Sequence, residues 1–78
     1  MPTLFIIFGI RFFFYSDDHE PVHVHISYGG KLAKIQVLPE VSVVYDQGVG
    51  PQILKKALKT VENYKEDIIA EWHSYFDK

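Results

Sequence analysis

The segment that decides the fold reads VHVHISYGGKLAKIQV and spans residues 22–37. Apolar and polar residues alternate on both sides of Gly29-Gly30, and this period of two is typical of strands with one buried face. Two adjacent glycines supply the positive φ angles of a tight hairpin turn at little steric cost. The segment therefore predicts a β-hairpin with Gly29 and Gly30 in its loop.

The same turn fixes the register of the hairpin, because each residue opposes the one equally far from the loop. The predicted apolar pairs are Val22 with Val37, Val24 with Ile35, and Ile26 with Ala33. The predicted pairs on the other face are His23 with Gln36, His25 with Lys34, and Ser27 with Leu32. A slip of one residue would mix the two sets, so the apolar pattern specifies this register strongly.

Further strands are predicted on both sides of this hairpin. Residues 4–8 and 12–15 are β-branched and aromatic and flank a turn at Gly9, which indicates an earlier hairpin. Residues 41–45 have the length of a typical strand and predict a fifth one, and the polar residues 16–21 predict a loop. The sheet is therefore expected to hold four or five antiparallel strands.

A helical pattern follows the strands. Pro51 suits the first position of a helix, and apolar residues recur from Ile53 with the spacing of one helix face. We expect one long helix or a helix pair kinked near Asn63-Tyr64. The order predicts a single α+β domain over residues 1–78, whose two-hairpin sheet is covered on one face by this helical segment.

Composition narrows the class of protein. The chain has 78 residues, 47% of them hydrophobic, and no cysteine, which excludes a disulfide scaffold and a thiolate metal site. A net charge of −2 argues against avid nonspecific nucleic-acid binding. The apolar start is interrupted by Gly9 and Arg11 and is too short to span a bilayer. We expect a cytoplasmic protein without membrane contacts.

Histidines concentrate between the two hairpins, at His19, His23 and His25. One hypothesis is general acid–base catalysis, for example metal-independent RNA cleavage, since imidazole titrates near neutrality. His23 and His25 would exchange protons, Glu20 would orient a histidine, and Lys34 would contact the phosphate. No cofactor is needed for this chemistry.

Two other interpretations of the histidines stay open. In one of them, His23 and His25 share a divalent transition metal such as zinc or nickel, and His19, Glu20 or Asp17 completes the site, although Lys34 beside them would repel a cation. Alternatively, the histidines are polar residues on a half-exposed sheet. Arg11 is either a charge that keeps an edge strand from aggregating or a cation that points inward and serves the function.

The predicted helix is polarised in charge. Its basic half carries Lys55, Lys56 and Lys59, and its acidic half carries Glu62, Glu66, Asp67 and Glu71. This order is the reverse of the one that the helix dipole favours. The lysines indicate either a patch for phosphate or an acidic partner, or a solvated helix face, and we favour the solvated face.

Several of these segments resemble one bacterial family, domain of unknown function 4160. The resemblance lies in MPTLF at residues 1–5, RFFFYS at 11–16, HEPVHVH at 19–25, Ala33-Lys34, and Trp72 with Phe76. The motif positions carried over are Arg11, Tyr15, His19, Glu20, Pro21, His23, His25 and Lys34. The resemblance implies a gene neighbour that encodes a small protein and a role in a module like a toxin–antitoxin pair, but no settled activity.

The resemblance implies, and the histidine cluster is compatible with, a toxin-like component of a two-gene module. In this hypothesis His23, His25, Lys34 and Glu20 act on RNA, and Arg11 and Tyr15 bind the substrate. The alternative is a non-catalytic or metal-binding module. In either case we expect an antitoxin-like small protein partner or a homo-oligomer, and the sequence leaves open whether the protein is an enzyme.

Overall fold

A computed structural model describes residues 3–77, so that Met1-Pro2 of the family-like opening and Lys78 lie outside the described residues. Five strands precede two helices, which confirms the predicted α+β class. The elements are β1 (Thr3–Ile7), β2 (Ile10–Phe13), β3 (His23–Tyr28), β4 (Lys31–Gln36), β5 (Ser42–Asp46), α1 (Pro51–Asn63) and α2 (Lys65–Phe76). No helix within residues 3–77 is long and apolar enough to cross a bilayer.

The strands form one antiparallel sheet in the order β1-β2-β3-β4-β5. Pairing of β2 with β3 joins the two predicted hairpins into this meander. The predicted register of the second hairpin is confirmed, because Val24 opposes Ile35 and His25 opposes Lys34. Gly29 and Gly30 occupy the turn with φ angles of 56° and 78°. The histidines and Lys34 therefore lie on the same face of the sheet, opposite the apolar pairs.

The two helices pack on the apolar face of the sheet. Fully buried side chains of this core include Phe12, Val24, Ile26 and Ile35 from the sheet, Phe14 directly after β2, and Ala57, Val61, Ile68 and Trp72 from the helices. The helical segment is interrupted at Tyr64, whose φ and ψ are −110° and 20°, so the kinked helix pair is the form observed. Trp72 packs edge-on against Phe14, and this contact closes the core near the start of the loop of residues 16–21.

A carboxylate shapes the turn that leads into α1. Asp46 accepts hydrogen bonds from the backbone N–H groups of Gly48, Val49 and Gly50, at 3.0, 2.7 and 3.2 Å. α1 has no side-chain hydrogen bond at its own N-cap. The Asp46 carboxylate therefore fixes the segment from which α1 starts.

Candidate metal centre under the loop of residues 16–21

The two histidines of β3 are buried. His23 is 4% exposed and His25 is 6% exposed, although both lie on the sheet face opposite the helical core. A bare sheet face would leave them in water, but Asp18 contacts both rings, Tyr15 contacts the ring of His25, and Trp72 of α2 packs against the ring of His23. Both histidines are therefore shielded from solvent, on a sheet face that the strand pattern alone would leave half-exposed.

Asp18 is held above these histidines by a local turn. Its Oδ2 accepts a hydrogen bond from the backbone N–H of Tyr15 at 2.9 Å, and its own N–H donates to the Tyr15 carbonyl at 3.2 Å. The carboxylate then faces the sheet. Its Oδ1 lies 3.1 Å from Nε2 of His25 and 3.2 Å from Nε2 of His23. One carboxylate oxygen therefore bridges both rings.

The tautomer of the neutral His23 ring follows from the contact that its other ring nitrogen makes. Nδ1 lies 2.9 Å from the carbonyl oxygen of Pro21, and a carbonyl only accepts, so Nδ1 carries the hydrogen. In the neutral ring Nε2 then presents a lone pair. That atom is buried, and although Asp18 is close, it makes no hydrogen bond. A lone pair beside a carboxylate oxygen is repelled unless a proton or a metal cation lies between them.

The spacing of the donor atoms suits a metal ion. One ligand atom from each of Asp18, His23 and His25 lies within 4.8 Å of the other two. In a tetrahedral zinc site with bonds of about 2.0–2.1 Å, neighbouring donors lie about 3.3 Å apart. The contacts of Asp18 with the two histidines, at 3.2 and 3.1 Å, are close to that separation. Two imidazoles and one carboxylate are ligands that zinc and other divalent transition metals accept.

The pKa values at the site show which charges the surroundings favour. Burial would raise the pKa of Asp18, but the hydrogen bond from Tyr15 and the contacts with His25 and His23 outweigh it and lower this pKa. Burial lowers the pKa of His25, and the neighbouring His23 and Lys34 add to this, against the opposing effect of Asp18. The site thus favours an ionised carboxylate beside a neutral His25, which are the forms that bind a metal.

An open concavity of about 370 Å³ lies beside the cluster. The residues that line it are Asp17, Asp18, His19, Glu20, Pro21, His23, Lys34, Gln36 and Val44. Four of the predicted site residues, His19, Glu20, His23 and Lys34, therefore converge. The lining holds three carboxylates and one ammonium group, so its charge favours a dication over a phosphodiester.

Two other predicted site residues, Tyr15 and Arg11, do not line this concavity. The Tyr15 ring meets the His25 ring edge-on, with centroids 4.5 Å apart. Phe13 stacks on the same imidazole at 5.6 Å, and the Arg11 guanidinium lies 4.4 Å from the centroid of Phe13. The structure thus brings Tyr15 to the cluster but leaves Arg11 separated from it by one ring.

Two residues of the site were missed by the sequence-based analysis. Asp18 occupies the place beside His23 and His25 for which the sequence suggests His19, Glu20 or Asp17, and His19 is an exposed residue of the concavity. Trp72 packs against His23 with ring centroids 5.1 Å apart. A tight turn after Tyr15 selects Asp18 over Asp17 and His19, and the turn-forming run Ser16-Asp17-Asp18 was the available indication of it.

The fold and this cluster define a small α+β protein with a buried group of two histidines and one carboxylate. The family model described as domain of unknown function (DUF4160) matches residues 9–73. The chain belongs to this family, and the resemblance found in its sequence is confirmed. No curated protein and no solved structure matches the chain.

Proposed function

We propose that the protein is a metal-binding module that holds a divalent transition metal, zinc or nickel, between Asp18, His23 and His25. The observation that carries this proposal is the buried Nε2 of His23, which lies 3.2 Å from Oδ1 of Asp18 without a hydrogen bond. The Pro21 carbonyl orients the ring through Nδ1, which is the usual arrangement behind a metal-bound histidine.

Three protein ligands leave at least one coordination position for water or another molecule. Because Asp18 and His23 line the concavity, that position would be reached from it, beside Lys34 and Glu20.

The metal would also join Asp18, on the loop, to β3. A ligand that binds only the folded state stabilises it in proportion to its concentration relative to its dissociation constant, so metal would stabilise this loop and the sheet together.

Trp72 gives a direct test, since it is the only tryptophan of the chain and packs against His23. Chelator-treated protein would be titrated with Zn²⁺ by calorimetry and with Ni²⁺ by tryptophan fluorescence. We expect one ion per chain and quenching of Trp72 by Ni²⁺. The double variant His23→Ala, His25→Ala should lose both signals, whereas His73→Ala, at an exposed histidine of α2, should keep them. Substoichiometric binding that the double variant retains would overturn the proposal.

Metal-independent ribonuclease activity in a toxin-like component is the second candidate function. It is favoured by one observation, that His23 and Lys34 line the same open concavity. The three carboxylates in that lining and the contact of Asp18 with both Nε2 atoms count against it. RNA that stays intact with purified protein in a chelator, together with unchanged growth on expression, would exclude this candidate.

Partner and location are proposed with either function. A small antitoxin-like protein or a second copy of the chain would suit the edge strand β5, where Val43, Val44 and Tyr45 are at least 38% exposed. Co-purification with the product of the neighbouring gene and light scattering of the isolated protein would distinguish the two. We also propose a cytoplasmic location, which cell fractionation tests.

A further inference from the structure

The turn between β1 and β2 carries an unusual residue. Phe8 has a φ angle of 56° and is the one residue other than glycine with a positive φ among residues 3–77. A large side chain in this region is strained, and glycine or asparagine is usual there. The ring is also 69% exposed, so burial in the core does not explain its presence.

A second feature that opposes local preference lies beside this ring. The outward face of α1 presents Gln52, Lys55, Lys56 and Lys59 around a shallow groove. Within residues 3–77 no carboxylate pairs with these three lysines. α1 has no acidic residue in its first turn either, although the helix dipole favours acids there. The groove is therefore positively charged and uncompensated.

The two features meet in space, since Nζ of Lys56 lies 5.6 Å from the centroid of the Phe8 ring. Places where a sequence goes against local preference tend to be functional. We propose that Phe8 and the α1 lysines form a binding surface for single-stranded nucleic acid, separate from the metal centre. A base stacks on the exposed Phe8 ring, and the backbone phosphates contact Lys55, Lys56 and Lys59.

Other anionic partners use only part of this surface. An acidic peptide would pair with the lysines but would leave the strained Phe8 without a role. An anionic membrane would need an apolar helix face to insert, whereas the apolar residues of α1, such as Ala57 and Val61, are buried against the sheet. Single-stranded nucleic acid uses both the ring and the charges, and the mild net charge of the chain limits binding to this patch.

Fluorescence anisotropy with a short labelled oligo(dT), at low salt and in a chelator, tests the proposal. We expect binding whose logarithmic salt dependence has a slope of about −2, as for three phosphates on a single strand. Phe8→Asn removes the ring, and asparagine is compatible with the positive φ angle of the turn. This variant should weaken binding at least about fivefold. Phe8→Tyr, which keeps the ring, should bind like the natural protein.

The lysines are tested separately. The triple variant Lys55→Met, Lys56→Met, Lys59→Met should abolish the salt-dependent binding, while Lys65→Met in α2, outside the groove, should leave it unchanged. All of these changes are at exposed or half-exposed positions, and circular dichroism would verify folding. Absent binding, equal binding by Phe8→Asn, or tighter binding to poly-glutamate or phosphatidylserine vesicles than to oligo(dT) would overturn the proposal.

Discussion

Nε2 of His23 lies 3.2 Å from Oδ1 of Asp18, yet the two atoms form no hydrogen bond. The reason is the Pro21 carbonyl, which holds the ring hydrogen at Nδ1 and turns the Nε2 lone pair toward the carboxylate. With Nε2 unprotonated the contact is repulsive, and it becomes attractive when a proton or a metal cation lies between the two atoms. In the proposed site the metal ion is that cation.

The third ligand can be identified by comparing two neighbouring residues of the loop. Asp18→Asn keeps the size of the side chain but removes the charge, and it should weaken zinc binding by more than the roughly 10–100-fold that the loss of an outer-shell partner causes. His19→Ala should change zinc affinity little, because His19 is exposed and outside the ligand group. Competition with a chromophoric chelator measures both. A larger loss from His19→Ala than from Asp18→Asn would assign the ligand to His19.

Stability of the metal-free protein should fall with acid in two stages. The pKa of His25 is lowered from 6.5, mainly by burial, so the unfolded chain takes up a proton near that pH before the folded chain does. Stability is therefore lost as the pH falls from 6.5 toward the folded pKa. The pKa of Asp18 is lowered from 3.8, so the stability it contributes is lost only as the pH falls below that value.

Chemical denaturation across this pH range checks both stages. His25→Gln should flatten the first stage, and Asp18→Asn should flatten the second. A stability that rises as the pH falls below 6.5 would contradict the assigned direction for His25.

The extent to which the sequence predicts the fold depends on how local the determinants are. The register of β3 and β4 was predictable because Gly29-Gly30 and the alternation act within one hairpin. The pairing of β2 with β3 was not, since a loop separates these strands and the two hairpins could have been arranged otherwise. The helix break at Tyr64 was predicted only as one of two alternatives, because no proline or glycine marks it.

The candidate site was predictable in its histidines but not in its carboxylate. Strand alternation puts His23 and His25 on one face whatever the rest of the chain does. The choice among Asp17, Asp18 and His19 depends on the turn hydrogen-bonded to Tyr15. The burial of both histidines depends on where the loop folds back. Those are tertiary properties that residue spacing does not contain.

The turn before α1 gives a prediction about stability. Asp46→Ala removes the acceptor of three backbone N–H groups, and it should lower the free energy of unfolding by about 1–2 kcal/mol, a value discounted because Asp46 is exposed. Asp77→Ala, near the end of α2, serves as a comparison, since its ion pair with His73 is exposed. Urea denaturation measures the difference, and equal effects of the two substitutions would contradict the role of Asp46.

Cross-strand packing gives a second prediction about stability. Val24 and Ile35 oppose each other and are fully buried. Ile35→Val should cost about 1 kcal/mol, and Ile35→Ala about 2–5 kcal/mol, enough to unfold much of a domain this small. Val43→Ala, at the exposed edge strand, is the matched control and should cost far less. Thermal denaturation measures these losses of stability. Similar losses from Ile35→Ala and Val43→Ala would show that the buried pair contributes no more to stability than the exposed edge strand.

The strain at Phe8 predicts a substitution that stabilises the protein. A non-glycine residue in the left-handed region costs roughly 1–2 kcal/mol, and Phe8 recovers little of this by burial because its ring is 69% exposed. Phe8→Gly should therefore raise the free energy of unfolding by about 1 kcal/mol, after the greater entropy of glycine in the unfolded chain is subtracted. Ile7→Gly, at a half-buried strand position, should instead lower it. If Phe8→Gly lowers stability in urea denaturation, the ring has a structural role beyond its contact with Lys56, and its presence in the turn no longer requires a ligand.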